Sequence, residues 1–582
     1  MGIPRLRQLL EPYAEQIDLK GRDIVIDGPG LAYHILHYCQ REATTLFDLP
    51  SYSLLGQTTI RWLDELSESG ARVVAIYFDG YLPSAKEPER KRRVMDLSKG
   101  LRSYYSLYPS GVPKTTKKQV PISFSTFTGT LGPKKLPTPA FLVPAVLEAL
   151  CTSETYRPIT KLIPGEADIY CARHVSSSGG LILTSDSDLL VHDLGPQGSV
   201  AFFATVEFKT HAGDKTTTVS EYSGSKICER ISLPQDKGLS SLGFQIILDP
   251  QVNLSRAIPL AKAQISSDTV DAEHTTFMQQ YLSPETIEDV SLEPISGRLL
   301  DPRISELVLQ FLSKAEDASV SMYLPFLADS PARTSAWEIS TPLRQMAYRA
   351  AGFLATKPIT GVVEYRRLQS LPGGTRVETV SRSQVRNYCT ELIKDIVIIQ
   401  GCVAEPELQW LILATYQDMR WSEEHQKGSI LSLDMLQAEA NGSLDVGAWD
   451  FVHLHAQVQG IYYSLRILRQ VCDFVSRDHQ LPEEFSVLRT ELDQLSVLDI
   501  PSIADFAERF AKVRPGVDLQ RFFERTKLGD ELSVQMHSIL NPKEKNGKGK
   551  RKRDKKSAGQ QEKKPGNPGR GSNNPFELLG DG

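Results

Sequence analysis

Six carboxylates stand in four short stretches: Asp27 in VIDGPG, Asp79 in YFDG, Glu166 and Asp168 in PGEAD, and Asp186 and Asp188 in TSDSD. Hard anionic oxygens in that number suit Mg²⁺ or Mn²⁺. Two such ions can hold the attacking water and the leaving oxygen of a phosphodiester, so two are the expectation. Asp and Glu are needed rather than Asn and Gln, because anionic ligands must offset the metals and the repeated phosphate charge. Six carboxylates together in turn need cations, since like charges raise one another's pKa. No His or Cys stands in these motifs as a ligand, which argues against zinc. Taken singly, each pair has a plainer reading: a capping acid, or a polar turn after a strand.

Those side chains can act together only if the chain gathers them. Asp23–Ile26, Arg72–Phe78 and Leu181–Leu183 read as apolar strands, each running into an acid at 27, 79 or 186. Helical patterns separate them, and alternating strand and helix argues for an α/β parallel sheet with right-handed crossovers. Ligands then bind beyond the carboxyl ends of the strands. Pro164 and Gly165 form a turn into a helix, which puts Glu166 and Asp168 in its first turn. Asp186 and Asp188, two apart beyond a strand, are expected to aim the same way. Met1–Gln16 reads as a short amphipathic helix, and Leu31–Cys39 as another. Ser53–Ser69 reads as a third, with Leu54, Leu55, Ile60, Leu63 and Leu66 inward.

Between Asp79 and Glu166 the character changes. Lys86, Arg90, Lys91, Arg92 and Arg93 form a basic run on a helix. Lys99, Arg102, Lys114, Lys117, Lys118, Lys134 and Lys135 come next, interleaved with Tyr104, Tyr105, Tyr108 and Phe124. The segment reads as a mobile basic insertion over about 84–140. Its cations would meet phosphates and its aromatics would stack on unpaired bases; the plain alternative is a solvated loop.

The chain has 582 residues, 40% hydrophobic and 24% charged, with a net charge of −5. That is globular composition over about three to four domains, and nucleic-acid binding would have to come from local patches. Seven scattered cysteines form no CxxC, so zinc and disulfide frameworks are not expected and a reducing compartment fits. The start lacks an apolar signal core, and Leu6 stands where myristoylation wants Ser or Thr. No apolar run is long enough to span a bilayer. A soluble intracellular protein without membrane partners is the expectation.

These residues also resemble a family. MGI at the start, IDGPGLAYHIL, FDGYLPSAKEPERKRR, PGEADIYCA and TSDSDLL, in this order, resemble the flap endonuclease/XPG superfamily of PIN-like nucleases over about residues 1–205. PAVLEAL at 144–150, SAWE at 335–338, LRQMAY and EYRR make the chain similar to the Asteroid group within it, to about residue 540. The resemblance implies that Asp27, Asp79, Glu166, Asp168, Asp186 and Asp188 are the metal-site and catalytic acids. Asp168 then replaces a glutamate. It places Lys86 and Arg93 near the scissile phosphate, and Arg90 with them among the nucleic-acid-binding cations. The glycine-rich helix–two-turn–helix that grips duplex DNA in these nucleases has no counterpart in the sequence at 206–290, and Asp249 is the substitute for a seventh aspartate.

The domains expected are a PIN-like nuclease domain at 1–205, a divergent continuation at 206–300, a mainly α-helical Asteroid-type domain at 301–540 and a disordered basic tail at 541–582. In the helical part, Ser335–Trp337 and Glu364–Arg367 read as core or interface features. The basic run KEKNGKGKRKRDKK in the tail reads as a nuclear localisation signal or nucleic-acid tether, or as merely solubilising. The nucleus is the location expected, with the cytoplasm open. NPFELL at 574–579 suits a short docking motif for a protein partner.

Two functions are consistent with these features. One is an Mg²⁺-dependent, structure-selective nuclease on nucleic acid, DNA before RNA. The other is a weak or inactive PIN-like scaffold in nucleic-acid or post-transcriptional regulation. A HAD-like phosphatase is disfavoured, since no DxDx[TV] stands after the first strand.

Overall fold

Short apolar runs bounded by charged residues build the central sheet of the computed structural model. Its strands are β1 (Glu15–Asp18), β2 (Asp23–Asp27), β3 (Arg72–Asp79), β4 (Thr160–Ile163), β5 (Gly180–Thr184), β6 (Gly198–Phe202), β7 (Glu207–His211) and β8 (Asp214–Tyr222). They lie in the order β1-β8-β6-β5-β2-β3-β4, with β7 on β8. The middle of the sheet, β6-β5-β2-β3-β4, is parallel throughout. Described residues run from 2 to 516 and include 534–536 and 539, apart from 42, 83–85, 115–121, 123, 125–135, 212–213, 235–237, 264–267, 280, 282–299, 314–319 and 368–373.

Helices α1 (Leu6–Leu10), α2 (Gly28–Cys39), α3 (Tyr52–Glu68), α4 (Glu87–Leu107), α5 (Leu142–Thr152) and α6 (Ala167–Ser178) belong to the first half. Parallel strands covered on both faces read as unbroken apolar runs, and here alternate residues serve opposite cores. Ile24, Ile26, Leu181 and Leu183 face α2, α3 and α5. Val25, Ile182 and Val200 face α1 and α6. In α3 the inward face is Leu55, Leu63 and Leu66 with Trp62, while Leu54 and Ile60 are half-buried.

Four helices come after the sheet: α7 (Gly224–Arg230), α8 (Gly238–Leu248), α9 (Leu254–Lys262) and α10 (Asp268–Gln279). Eight more are α11 (Pro302–Ser313), α12 (Thr341–Ala351), α13 (Arg382–Cys402), α14 (Pro406–Glu424), α15 (Leu431–Ala440), α16 (Trp449–Val475), α17 (Glu483–Glu491) and α18 (Ile503–Gly516). A three-stranded sheet of β9 (Val320–Tyr323), β10 (Gly361–Tyr365) and β11 (Thr375–Glu378) lies among them. Helix α16 is buried along nearly its whole length and is the axis of this half. No described helix is long and apolar enough to cross a membrane.

Several expectations change. The first sixteen residues hold only the five-residue α1, because Pro4 and Pro12 flank it and Glu15–Asp18 is recruited as an edge strand beside β8. The sheet runs past position 205 to Tyr222. The expected insertion begins with a 21-residue helix, α4. Tyr104 is buried against Trp449, Tyr105 packs on that ring at 4.9 Å, and Phe124 is buried beside Tyr38. These rings belong to the core and are not stacking platforms. Lys117, Lys118, Lys134, Lys135 and the tail with its NPFELL segment lie outside the described residues.

Candidate functional site

Asp27 ends β2 and caps α2, accepting from Gly30 N–H at 3.1 Å and from Thr184 Oγ1 at 2.8 Å. Gly30 is required here, since a Cβ would stand 2.3 Å from Asp27 Oδ2. Asp79 ends β3, and its Oδ1 accepts from Ala167 N–H at 2.7 Å, in the first turn of α6. Glu166 is the N-cap residue of α6 and Asp168 lies in its first turn. A helix start favours negative charge, so one element welcomes three of the six acids.

Asp186 and Asp188 do not share a strand face. Beyond β5 the chain turns into a 3₁₀ helix at Ser187–Leu190, and Asp186 caps it by accepting from Asp188 N–H at 3.0 Å. Asp188 in turn accepts from Ile3 N–H at 2.7 Å, and Ser187 Oγ donates to Ile3 O. The chain's beginning is therefore part of the site. Gly2 has φ +101°, and a Cβ there would meet Asp186 Oδ1 at 2.3 Å.

The sheet edge thus gathers acids from four stretches. Asp168 is pushed well above the usual carboxylate range, first by desolvation and then by Asp27, Asp186, Asp79 and Glu166 around it. Desolvation likewise raises Asp27, with Asp186 adding to it. Asp79 rises to about 7, through burial first and then Asp27 and Glu166. Asp188 rises to about 6, through burial and Asp186. Lys86 is the close counter-charge, its Nζ 3.0 Å from Glu166 Oε2. Burial alone would lower its pKa, but Glu166, Asp188 and Asp168 reverse that and hold the ammonium up.

Hard-oxygen donors in excess of cations fit a divalent ion in kind. They are not drawn into a cage. Asp27, Asp79, Asp186 and Asp188 have each taken an N–H or hydroxyl as partner, and Glu166 has taken Lys86. No group of three or more His, Cys, Asp or Glu among the described residues stands ready to ligate. The hydrogen bonds to Asp79, Asp186 and Asp188 all reach Oδ1, and a carboxylate held there can still ligate an ion through Oδ2.

Of the other cations, Arg93 lies on the surface of α4 with Nε 3.0 Å from Glu89. Arg90 departs from its expected role: its guanidinium is committed to Glu306 of α11 through two hydrogen bonds and is only 14% exposed. Asp249 stands exposed at the end of α8, where it accepts from Gln251 N–H in its own turn. Helices α8 and α9, joined by residues 249–253, pack as a pair although the glycine-rich pattern is missing. Two side chains went unnoticed in the sequence. His192 and Tyr281 meet edge to face at 5.2 Å. Burial lowers His192 to about 4. Burial and then Asp188, Asp186, Asp168 and Glu166 raise Tyr281. His192 lies four residues past Asp188, a weak signal; Tyr281 has none.

A family described as XPG domain containing matches residues 138–379, which hold Glu166, Asp168, Asp186 and Asp188. Asteroid homolog 1 of Schizosaccharomyces pombe is 23% identical over 384 residues, 63% of this chain. Residues 138–379 are thus similar to XPG-domain proteins, and the chain is similar to that Asteroid homolog. It spans 64% of the length of that yeast relative. Among solved structures it is similar to the catalytic core of Rad2 in complex with DNA substrate. One such structure has a TM-score of 0.23 at 13% identity, covering 50% of this chain and 82% of that one. Another has 0.26 at 15%, covering 53% and 93%.

Proposed function

We propose that this protein hydrolyses phosphodiester bonds in structured nucleic acid, DNA before RNA, with Mg²⁺ or Mn²⁺. The observation that carries the proposal is the meeting of Asp27, Asp79, Glu166, Asp168, Asp186 and Asp188 at the carboxyl edge of one parallel sheet, with desolvation raising four of them. Those six would hold the cations. Two ions bound there would supply Lewis-acid activation of a water and stabilise the leaving oxygen. The chain's own groups do the rest. Thr184 Oγ1 and Gly30 N–H orient Asp27, Ala167 N–H orients Asp79, and Ile3 N–H orients Asp188. Lys86, displaced from Glu166, would place its ammonium on a phosphate oxygen.

One observation favours a second reading, a PIN-like scaffold without turnover: the acids are held by protein donors, and none stands in a ligating set among the described residues. The two readings part in a cleavage assay on flap, overhang, splayed and single-stranded substrates with Mg²⁺ or Mn²⁺, beside an Asp186→Asn control. Cation-dependent cutting lost in the control supports the enzyme. A folded chain that cuts nothing, or a control that cuts as well as wild type, removes it.

A further inference from the structure

Gly80, next to Asp79, and Arg90, one turn beyond Lys86, are held by adjacent residues of one helix, α11. Ser305 of α11 is fully buried and donates its hydroxyl to Gly80 O at 2.6 Å, next to Asp79. Its neighbour Glu306 takes both guanidinium arms of Arg90, one turn beyond Lys86; Nη2 stands 2.8 Å from Oε2. A bidentate guanidinium–carboxylate pair fixes direction as well as distance. The Arg90 guanidinium also lies 3.7 Å over the ring of Tyr323, and that ring stacks on Tyr365 at 4.4 Å and 10°. Tyr365 completes the grip by donating its hydroxyl to Glu87 Oε1 at 3.3 Å, while Lys91 sits 5.0 Å over the Tyr365 ring.

The platform under this contact is itself tied down. Gln310, one turn along α11 from Glu306, exchanges two hydrogen bonds with Ser321 of β9. The far end of α4 is held separately: Trp449 Nε1 donates to Tyr108 O at 2.8 Å. The contact between α11 and Arg90 therefore governs the Lys86 end of the helix.

We propose that Ser305, Glu306, Arg90 and the Tyr323–Tyr365 stack form a latch through which the C-terminal half sets where Lys86 stands over the acidic cluster. They are positioning residues. The part that concerns turnover rests on the nuclease reading; the latch itself does not.

The test uses the full chain as wild type, Glu306→Gln, Arg90→Lys, and the exchanged pair Arg90→Glu with Glu306→Arg. Two readouts need no cleavage: amide hydrogen exchange along α4, and the rate at which an amine-acetylating reagent labels Lys86, read by mass spectrometry. Glu306→Gln and Arg90→Lys are expected to raise exchange over residues 87–93 and Lys86 labelling about tenfold, with β3 and residues 100–107 unchanged. The exchanged pair is expected to restore much of the protection. For cleavage with Mn²⁺, kcat is expected to fall about tenfold or more at unchanged KM. Unchanged exchange and labelling in both single variants would overturn the latch, as would a rise spread over the whole chain. Looser labelling with kcat intact, in a chain that cleaves, would overturn the positioning role. Absence of cleavage by the wild type would remove the nuclease reading alone, since exchange and labelling still decide the latch.

Discussion

Asp79 stands where a negative charge is least welcome, half-buried and close to Asp27 and Glu166. Its folded-state pKa, about 7, lies above its unfolded value, so between pH 4 and 7 the folded chain binds more protons than the unfolded one. This contribution is fully present below pH 4 and is lost as pH rises through 7; Asp188 behaves alike through about 6. Asp79→Asn keeps an acceptor for Ala167 N–H while removing the charge. It should therefore raise stability at pH 8 by roughly 1–3 kcal/mol and change little at pH 4. A cation filling the same place should act in the same direction. At about a hundredfold over its Kd, Mn²⁺ would add about 2.7 kcal/mol to the wild type at pH 8. The gain should shrink at pH 5, where the carboxyls are protonated, and largely disappear in Asp79→Asn. Thermal unfolding with and without Mn²⁺ at the two pH values checks both; a wild-type midpoint that ignores Mn²⁺ at pH 8 would count against any cation site. Gly2 gives a second expectation at this scale. A methyl there collides with Asp186 Oδ1 and Ser187 Oγ, and its positive φ disfavours any side chain. Gly2→Ala should reduce the Mn²⁺-induced stabilisation while leaving the midpoint without cation within a few degrees of wild type. Equal Mn²⁺ responses would show that the chain's beginning has no part in the site.

At the scale of elements, α4 decides how the basic segment works. Its lysines and arginines suggest a nucleic-acid contact, but its aromatic residues face the other way. Tyr104 and Tyr105 close on Trp449, and Val112 N–H donates to Gly447 O at 2.7 Å beyond the helix end. Tyr105→Ala should then lower stability by about 1–3 kcal/mol and leave single-strand affinity unchanged. Urea unfolding and an anisotropy titration measure the two. A loss of affinity without a loss of stability would return the ring to the stacking role. The sheet was far more legible than this helix. Apolar strands ending at Asp27 and Asp79 carry their meaning locally, in their period and in the acid at their end. So do Pro164 and Gly165 ahead of Glu166. Which side chains α4 buries depends on Trp449, more than 340 residues away, and no local pattern encodes that. The same is true of Arg90, whose partner Glu306 lies on a distant helix, and of Ile3, which reaches Asp188 only after the chain has closed. Asp186 and Asp188 do lie just beyond their strand, but the 3₁₀ turn that holds them is set by a side-chain cap and leaves no periodicity to read. In the second half α11, α12, α13, α14 and α16 show in their 3.6-residue periodicity, whereas α15, α17 and α18 do not, and the strands β9 to β11 are too short for theirs to stand out.

At the scale of the molecule, residues 1–541 form one compact unit. The hydrophobic core that begins under the sheet with Ile24, Leu63 and Leu147 continues without a break into Tyr463, Leu468 and Phe506. Phe141, just before α5, stacks on Tyr463 of α16 at 4.7 Å. Glu148 of α5 is paired with Arg466 of α16 and accepts from Ser496. Burial would raise the Glu148 pKa, but Arg466 beside it brings it below the ordinary value. Its charge thus depends on a residue more than 300 positions away. Removing one partner of such a pair leaves the other charged and desolvated, whereas replacing both by apolar groups of similar size removes the problem. Arg466→Met should therefore destabilise the chain by about 3–5 kcal/mol, and Arg466→Met with Glu148→Leu should recover a large part of that. A fragment ending near residue 300 would keep Glu148 without its arginine and bare the apolar faces of α2, α3 and α5. It is expected to aggregate or to lack a cooperative transition. Urea midpoints of the three full-length chains, beside the solubility of the fragment, test the argument. Equal midpoints, or a fragment that melts cooperatively, would mean that the sheet stands without the C-terminal helices, and that any influence of that half on the acids has to pass through the α11 contact alone.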